Sequence, residues 1–163
     1  MIKVLFICHG NICRSPMAEF VFKDMVQKAG LSDRFEIASA ATSSEEIGNP
    51  VYPPARKKLF ENGIGTPENE LGVSRKRARR ITDADYDRYD YLIGMDAANR
   101  RNLMRKYHDD PEGKIYSMMD FAGRAKDVAD PWYTGDFEAT WQDVRDGCIG
   151  LLERLKRESV QQR

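Results

Sequence analysis

The chain has 163 residues and a mass of 18.7 kDa, the size of one domain with a single core, and 32% of its residues are charged. Lys plus Arg number 26 and Asp plus Glu also 26, so no global field directs the protein to nucleic acid, an anionic membrane or an acidic partner. No apolar run approaches the roughly 20 residues of a membrane span. Met1 leads straight into a strand pattern without a basic, then apolar, leader. Three cysteines with no CxxC pair, and two histidines, fit neither a secreted disulfide framework nor a structural zinc site. The expectation is a cytoplasmic protein with reduced thiols and no metal or cofactor, a single domain over 1–158 and a frayed tail at 159–163.

An apolar strand over residues 2–7 comes first, followed by Cys8-His9-Gly10-Asn11-Ile12-Cys13-Arg14-Ser15-Pro16. A helix over 16–29 follows, with Ser15 as N-cap, Pro16 at the first helical position, and Met17, Ala18, Val21, Phe22, Met25 and Val26 at helical spacing before Gly30. Residues 35–42 read as a second strand, 43–49 as a polar loop. A helix from Pro54 to just before Gly63 turns Ala55, Leu59 and Phe60 inward. A buried strand over 89–95 leads to a helix over 97–106 capped by Asp96, and 114–118 is a short fourth strand. The last helix begins after Gly135-Asp136; Phe137, Trp141, Val144, Cys148, Leu151, Leu152 and Leu155 recur every three or four residues, and the chain frays beyond Leu155. Alternating strands and helices imply parallel pairing with right-handed crossovers.

A loop between a strand's carboxyl end and a helix's first turn points main-chain N–H groups inward, and the helix dipole adds positive potential there. An anion is its natural occupant. Arg14 offers a planar fork for two phosphate oxygens, and Cys8 sits where the same field favours the thiolate. Gly10 permits positive φ and close approach of a ligand, and Asn11 tolerates a left-handed conformation. Parallel sheets bind ligands beyond the carboxyl ends of their strands, so residues 39–46, 96–99 and 127–133 are expected to converge on this loop. A thiolate beside a phosphate ester can displace the alcohol in line, and Asp130, stiffened by Pro131, is the candidate proton donor. Trp132 and Tyr133 wall a slot for an aryl leaving group. That combination points to phosphotyrosine.

The run from Cys8 to Glu19, with Asp130-Pro131-Trp132-Tyr133, resembles the low-molecular-weight protein tyrosine phosphatases. Ser39-Ala40-Ala41-Thr42, Glu46-Ile47-Gly48-Asn49, Asp85-Tyr86-Asp87 through Met95-Asp96, and Gly135-Asp136-Phe137-Glu138 extend the likeness over nearly the whole chain. The resemblance implies a four-stranded parallel sheet flanked by helices on both faces, with Cys8 as nucleophile, Arg14 as phosphate clamp and Asp130 as acid and then base. It implies that Asn11, Ser15 and Ser39 support the loop, that Ser15 stabilises the departing thiolate, and that Cys13 can pair reversibly with Cys8 under oxidation. Phosphotyrosine proteins are the implied substrates, and phosphate or vanadate the inhibitors. Eukaryotic members carry an aromatic where this chain has Glu45, and a histidine within its 69–80 stretch. Relatives acting on phosphoarginine carry threonine where Ile12 stands.

Other readings accompany these. A thiol-dependent arsenate reductase or phosphoarginine phosphatase of related fold would use the same loop, and a binding module would hold an anion without hydrolysing it. The basic cluster from Arg75 to Arg80 reads as a solvated face, because no aromatics are interleaved for base stacking. His9 reads as a rim residue, Cys148 as core, and Asp96 as a helix cap outside the catalytic set.

Overall fold

The computed structural model describes residues 1–161, with side chains described to residue 158. Strands β1 (Ile2–Cys8), β2 (Phe35–Ala41), β3 (Tyr91–Gly94) and β4 (Ile115–Ser117) form one sheet in the order β2-β1-β3-β4, every pair parallel. Six helices accompany it among the described residues: α1 (Arg14–Lys28), α2 (Pro53–Glu61), α3 (Asp83–Arg88), α4 (Ala97–Lys106), α5 (Pro131–Thr134) and α6 (Phe137–Gln161).

β1 is a continuous apolar run because both of its faces are covered. Val4 and Phe6 pack with Met17, Phe20 and Val21 of α1 and with Val144, Cys148 and Leu151 of α6. Leu5 and Ile7 face the opposite layer, with Tyr86 of α3 and Leu103 of α4. All these side chains are buried. Among the described residues, no helix is long and apolar enough to cross a membrane.

The register fixes where the strands end together. Cys8 pairs with Ala41, Ile7 with Gly94, and Gly94 with Ser117, so all four carboxyl ends open on one edge. From β1 the chain crosses to β2 on one side and later returns past it to β3 on the other. The loops therefore diverge between β1 and β3, where such sheets hold their ligands.

Several elements differ from expectation. α1 begins at Arg14 and its N-cap is Cys13, without a side-chain cap; Ser15 lies inside the first turn because its hydroxyl is engaged elsewhere. Phe60 is 56% exposed and only Ala55 and Leu59 of α2 turn inward. α3 was not expected; its start is fixed by the Thr82 N–H donating to the Asp85 carboxylate at 2.7 Å. α6 stays helical beyond Leu155 to Gln161, where fraying was expected, and residues 162–163 of the anticipated tail lie outside the described residues.

Candidate active site

β1 delivers Cys8 to the edge of the sheet, and residues 9–13 curl back to α1. The curl is pinned from β2 and beyond: Thr42 N–H donates to Cys8 O at 3.0 Å, Ser43 N–H to His9 O at 3.1 Å and Tyr52 N–H to Ile12 O at 2.9 Å. The left-handed residue is Asn11 (φ 62°), not Gly10, which is absent from the positive-φ glycines. At Gly10 a Cβ would lie 3.2 Å from Glu46 Cγ, close enough that the Glu46 side chain would have to give way.

Asn11 is buried, with both side-chain donors and its carbonyl oxygen engaged. Its Nδ2 donates to Ser15 Oγ (2.8 Å) and Ser39 Oγ (2.9 Å), and its Oδ1 accepts from Arg79 N (3.2 Å). Ser15 Oγ, already accepting from Asn11, has its proton free for Cys8 Sγ, 2.9 Å away, and Asn11 N–H donates to the same sulfur at 3.3 Å. Ser39 Oγ donates in turn to Glu19 Oε1 at 2.5 Å. A chain of buried polar groups thus runs from α1 and β2 to the sulfur.

Arg14, only 4% exposed, places Nη2 2.9 Å from Asp96 Oδ2 and 3.3 Å from Asp130 Oδ2, while Nη1 donates to Val128 O at 3.3 Å. Burial pulls the guanidinium pKa down, but Cys8, Asp130 and Asp96 outweigh it and hold the group above its ordinary value, so it stays a cation. Asp130 caps α5, accepting from Trp132 N at 3.1 Å. Asp96 caps α4 through Oδ1, accepting from Asn99 N at 2.7 Å, and uses Oδ2 for Arg14. The cap expected of Asp96 is present, and the same carboxylate also reaches the crevice, as expected of residues 96–99, by pairing with Arg14.

These groups line a crevice of about 440 Å³ with His9, Gly10, Ile12, Cys13, Glu45, Trp132 and Tyr133 at its wall and rim. Ser15, Ser39 and Asn11 lie behind the loop rather than in the crevice. Glu46, Ala98, Asn99 and Asn102 also line it; the first three fall in stretches expected after strand ends, and Asn102, a turn further along α4, carried no sequence signal. Trp132 leans on Tyr52 with ring centroids 5.3 Å apart, Tyr133 is 86% exposed, and His9 Nε2 meets Glu45 Oε2 at 3.0 Å on the rim. Burial, followed by the charges of Cys8 and Asp130, pushes the Cys13 thiol up to about 12, which leaves it protonated near neutrality. Cys148 is fully buried in α6 with its sulfur toward Ala18 O, as expected of a core residue.

The basic cluster is a solvated face only in part: Arg75, Arg77 and Arg80 are exposed, whereas Lys76 and Arg79 turn partly inward. Lys76 Nζ donates to Ser39 O at 2.8 Å and lies 3.4 Å from Glu19 Oε1; Arg79 binds Asp85 through two nitrogens at 3.0 and 3.1 Å; Arg80 Nε donates to Thr42 O at 3.2 Å. Those three residues brace the end of β2 behind the loop.

A buried guanidinium facing a cysteine sulfur at the switch point of a parallel sheet defines an α/β protein with a site for a tetrahedral oxyanion. Residues 3–162 match the family model described as low molecular weight phosphotyrosine protein phosphatase. The Bacillus subtilis low molecular weight protein-tyrosine-phosphatase YfkJ is 37% identical over 160 residues, 97% of this chain and 98% of that protein, and its crystal structure superposes with a TM-score of 0.88 over 97% of this chain and 96% of that one. The Streptococcus pyogenes phosphatase SP-PTP is 43% identical with a TM-score of 0.82, covering 95% of this chain and 93% of that one. A Drosophila arginine phosphatase is 28% identical with a TM-score of 0.84, covering 95% and 98%. The chain belongs to the low molecular weight protein tyrosine phosphatase family, hydrolases of phosphoric monoesters whose substrates are phosphotyrosine proteins.

Proposed function

We propose that Cys8 is the nucleophile, Arg14 the phosphate clamp and Asp130 the acid and then the base. The Cys8 thiolate attacks phosphorus, the phosphorus–oxygen bond to the aryl group breaks, and Asp130 gives its proton to the departing oxygen. Water then attacks the phosphocysteine, Asp130 takes up its proton, and the phosphorus–sulfur bond breaks to restore the thiolate. Ser15 and Asn11 N–H, both directed at Cys8 Sγ, stabilise that thiolate, and Asn11 and Ser39 hold the loop in shape. Trp132, Tyr133 and Glu45 contact the substrate around the phosphotyrosine, and His9, Gly10, Ile12 and Cys13 form the cup. The single observation that carries the reading is the sulfur with two donors at the base of a cup whose other side holds Arg14, itself in contact with Asp130.

Inorganic phosphate and vanadate are the expected inhibitors, nucleic acid is not a partner, and no cofactor enters the reaction. The working unit is one domain over 1–158 acting in the cytoplasm. Cys8→Ser is expected to abolish turnover of para-nitrophenyl phosphate while vanadate still binds; a wild-type rate in that variant would end the proposal.

The Drosophila neighbour favours a second reading, phosphoarginine hydrolysis, and Glu45, Glu46, Asp96 and Asp130 give the crevice the carboxylates a guanidinium would accept. Phosphotyrosine, phosphoserine and phosphoarginine peptides assayed on wild type and Ile12→Thr separate the two: preference for phosphotyrosine in the wild type and a shift toward phosphoarginine in the variant support the first.

A further inference from the structure

Residues 124–130 carry Asp130 into the crevice with no helix or strand of their own. The place of such a segment is set by where its main-chain polar groups go. Val128 answers to the crevice itself, its N–H donating to Met95 O at 2.9 Å and its carbonyl accepting from Arg14. Ala129, immediately before Asp130, answers elsewhere. Its N–H donates to Asp143 Oδ2 at 3.0 Å, and its carbonyl accepts from Thr140 Oγ1 at 2.8 Å. Both partners stand on one turn of α6, three residues apart, and both are buried, Thr140 at 0% and Asp143 at 5% exposure.

A buried carboxylate needs counter-charge, and the segment supplies it. Lys126 Nζ donates to both Asp143 oxygens, at 3.0 and 2.9 Å, and Arg124 reaches the same carboxylate at 3.9 Å while pairing with Asp146 at 2.9 Å. The helix therefore grips the segment by its backbone at Ala129 and by its charge at Lys126.

We infer that Thr140 and Asp143 are positioning residues for the proton donor: a two-point clamp from α6 on the Ala129 peptide groups that sets where the Asp130 carboxyl stands in the crevice. The inference rests on Asp130 being that donor. With both polar groups of Ala129 held, the peptide planes on either side are fixed, and few soft dihedrals remain between the clamp and the carboxyl. Protonation of the departing oxygen requires hydrogen-bond distance, and a misplacement of about 1 Å can cost about 10²-fold.

The test compares wild type, Asp143→Ala, Thr140→Val, Asp130→Asn and Asp130→Asn/Asp143→Ala on para-nitrophenyl phosphate, whose leaving group needs little help, and on phenyl phosphate, whose leaving group needs a proton. Asp143→Ala is expected to lower kcat/KM, which covers only the steps up to release of the aryl group, by about 10- to 100-fold on phenyl phosphate and by much less on nitrophenyl phosphate, and to leave competitive inhibition by inorganic phosphate within about 2-fold. Thr140→Val is expected to give a smaller loss of the same shape, and it carries the test should Asp143→Ala fail to fold. In the double variant the Asp143 change is expected to add nothing to Asp130→Asn, because it acts through that carboxyl. Equal slowing of both substrates, or multiplying effects in the double variant, overturns the clamp. Asp130→Asn losing nothing on phenyl phosphate instead removes Asp130 as donor, and the clamp's purpose with it; that single variant tells the two failures apart.

Discussion

Lys76→Met isolates the buried pair behind the phosphate loop. Lys76 and Glu19 have side chains only 12% and 6% exposed, with Nζ 3.4 Å from Oε1 and 2.8 Å from Ser39 O. Burial draws the Lys76 ammonium below its ordinary pKa in spite of Glu19, so the pair is no net gain over apolar side chains of similar size. Removing one partner is another matter, because the buried Glu19 carboxylate then keeps only Lys23, 2.6 Å away, as counter-charge. Breaking a buried pair costs about 3–5 kcal/mol; the surviving Lys23 contact brings this to about 2, and the lost hydrogen bond to Ser39 O adds about 1. A loss of about 3 kcal/mol lowers Tm by about 6–12 °C in a domain of this size. Thermal and urea unfolding of Lys76→Met, Glu19→Gln and the double variant provide the measurement, and the double variant should recover most of what Lys76→Met loses. A Lys76→Met protein within about 0.5 kcal/mol of wild type, or a fully additive double variant, would refute the reasoning.

Iodoacetate at pH 7 should modify Cys8 ahead of Cys13, because burial keeps the Cys13 thiol neutral, and peptide mapping reads the order. Burial pushes the Asp85 carboxyl up, but hydrogen bonds from Arg79 and Thr82 outweigh it and hold it below the ordinary range. The stability this contributes is present above the unfolded carboxylate pKa of about 4 and is lost as pH falls through the lower folded value, so Arg79→Met should differ from wild type at pH 7 and converge with it in acid unfolding curves. Arg14→Lys keeps the charge but loses the fork, and kcat/KM should fall by about 10²–10³-fold; a phosphatase assay showing less than about 3-fold would remove the clamp role.

The β1 apolar run, the amphipathic α6 and the strand–loop–helix junction were legible because each is set by local pattern: a both-faces-buried strand, a helical stripe and a turn between them. Ser15 shows where local rules fail. A serine before proline reads as a cap, yet its hydroxyl serves Cys8 and Asn11, and the helix starts two residues earlier than expected. Asp96 was left outside the catalytic set because capping accounted for it; its place after a strand end brought it near the loop, but only the fold shows that its second oxygen pairs with Arg14. Lys76 and Arg79 look like solvated charge because Glu19 and Asp85, the carboxylates that pair with them, meet them only in the tertiary fold. Phe60 was turned inward by spacing alone, though α2 has too narrow a buried face to take it.

Depth separates the crevice into two zones. Its floor is main chain braced by buried Asn11, Ser15 and Ser39, whereas His9, Glu45, Trp132 and Tyr133 stand largely in solvent. On the proposed roles, substitutions at the outer four change the rim that would meet a polypeptide and leave the braced floor untouched, so descendants of this chain are free to diverge in what they recognise while inheriting the bond-breaking apparatus unaltered.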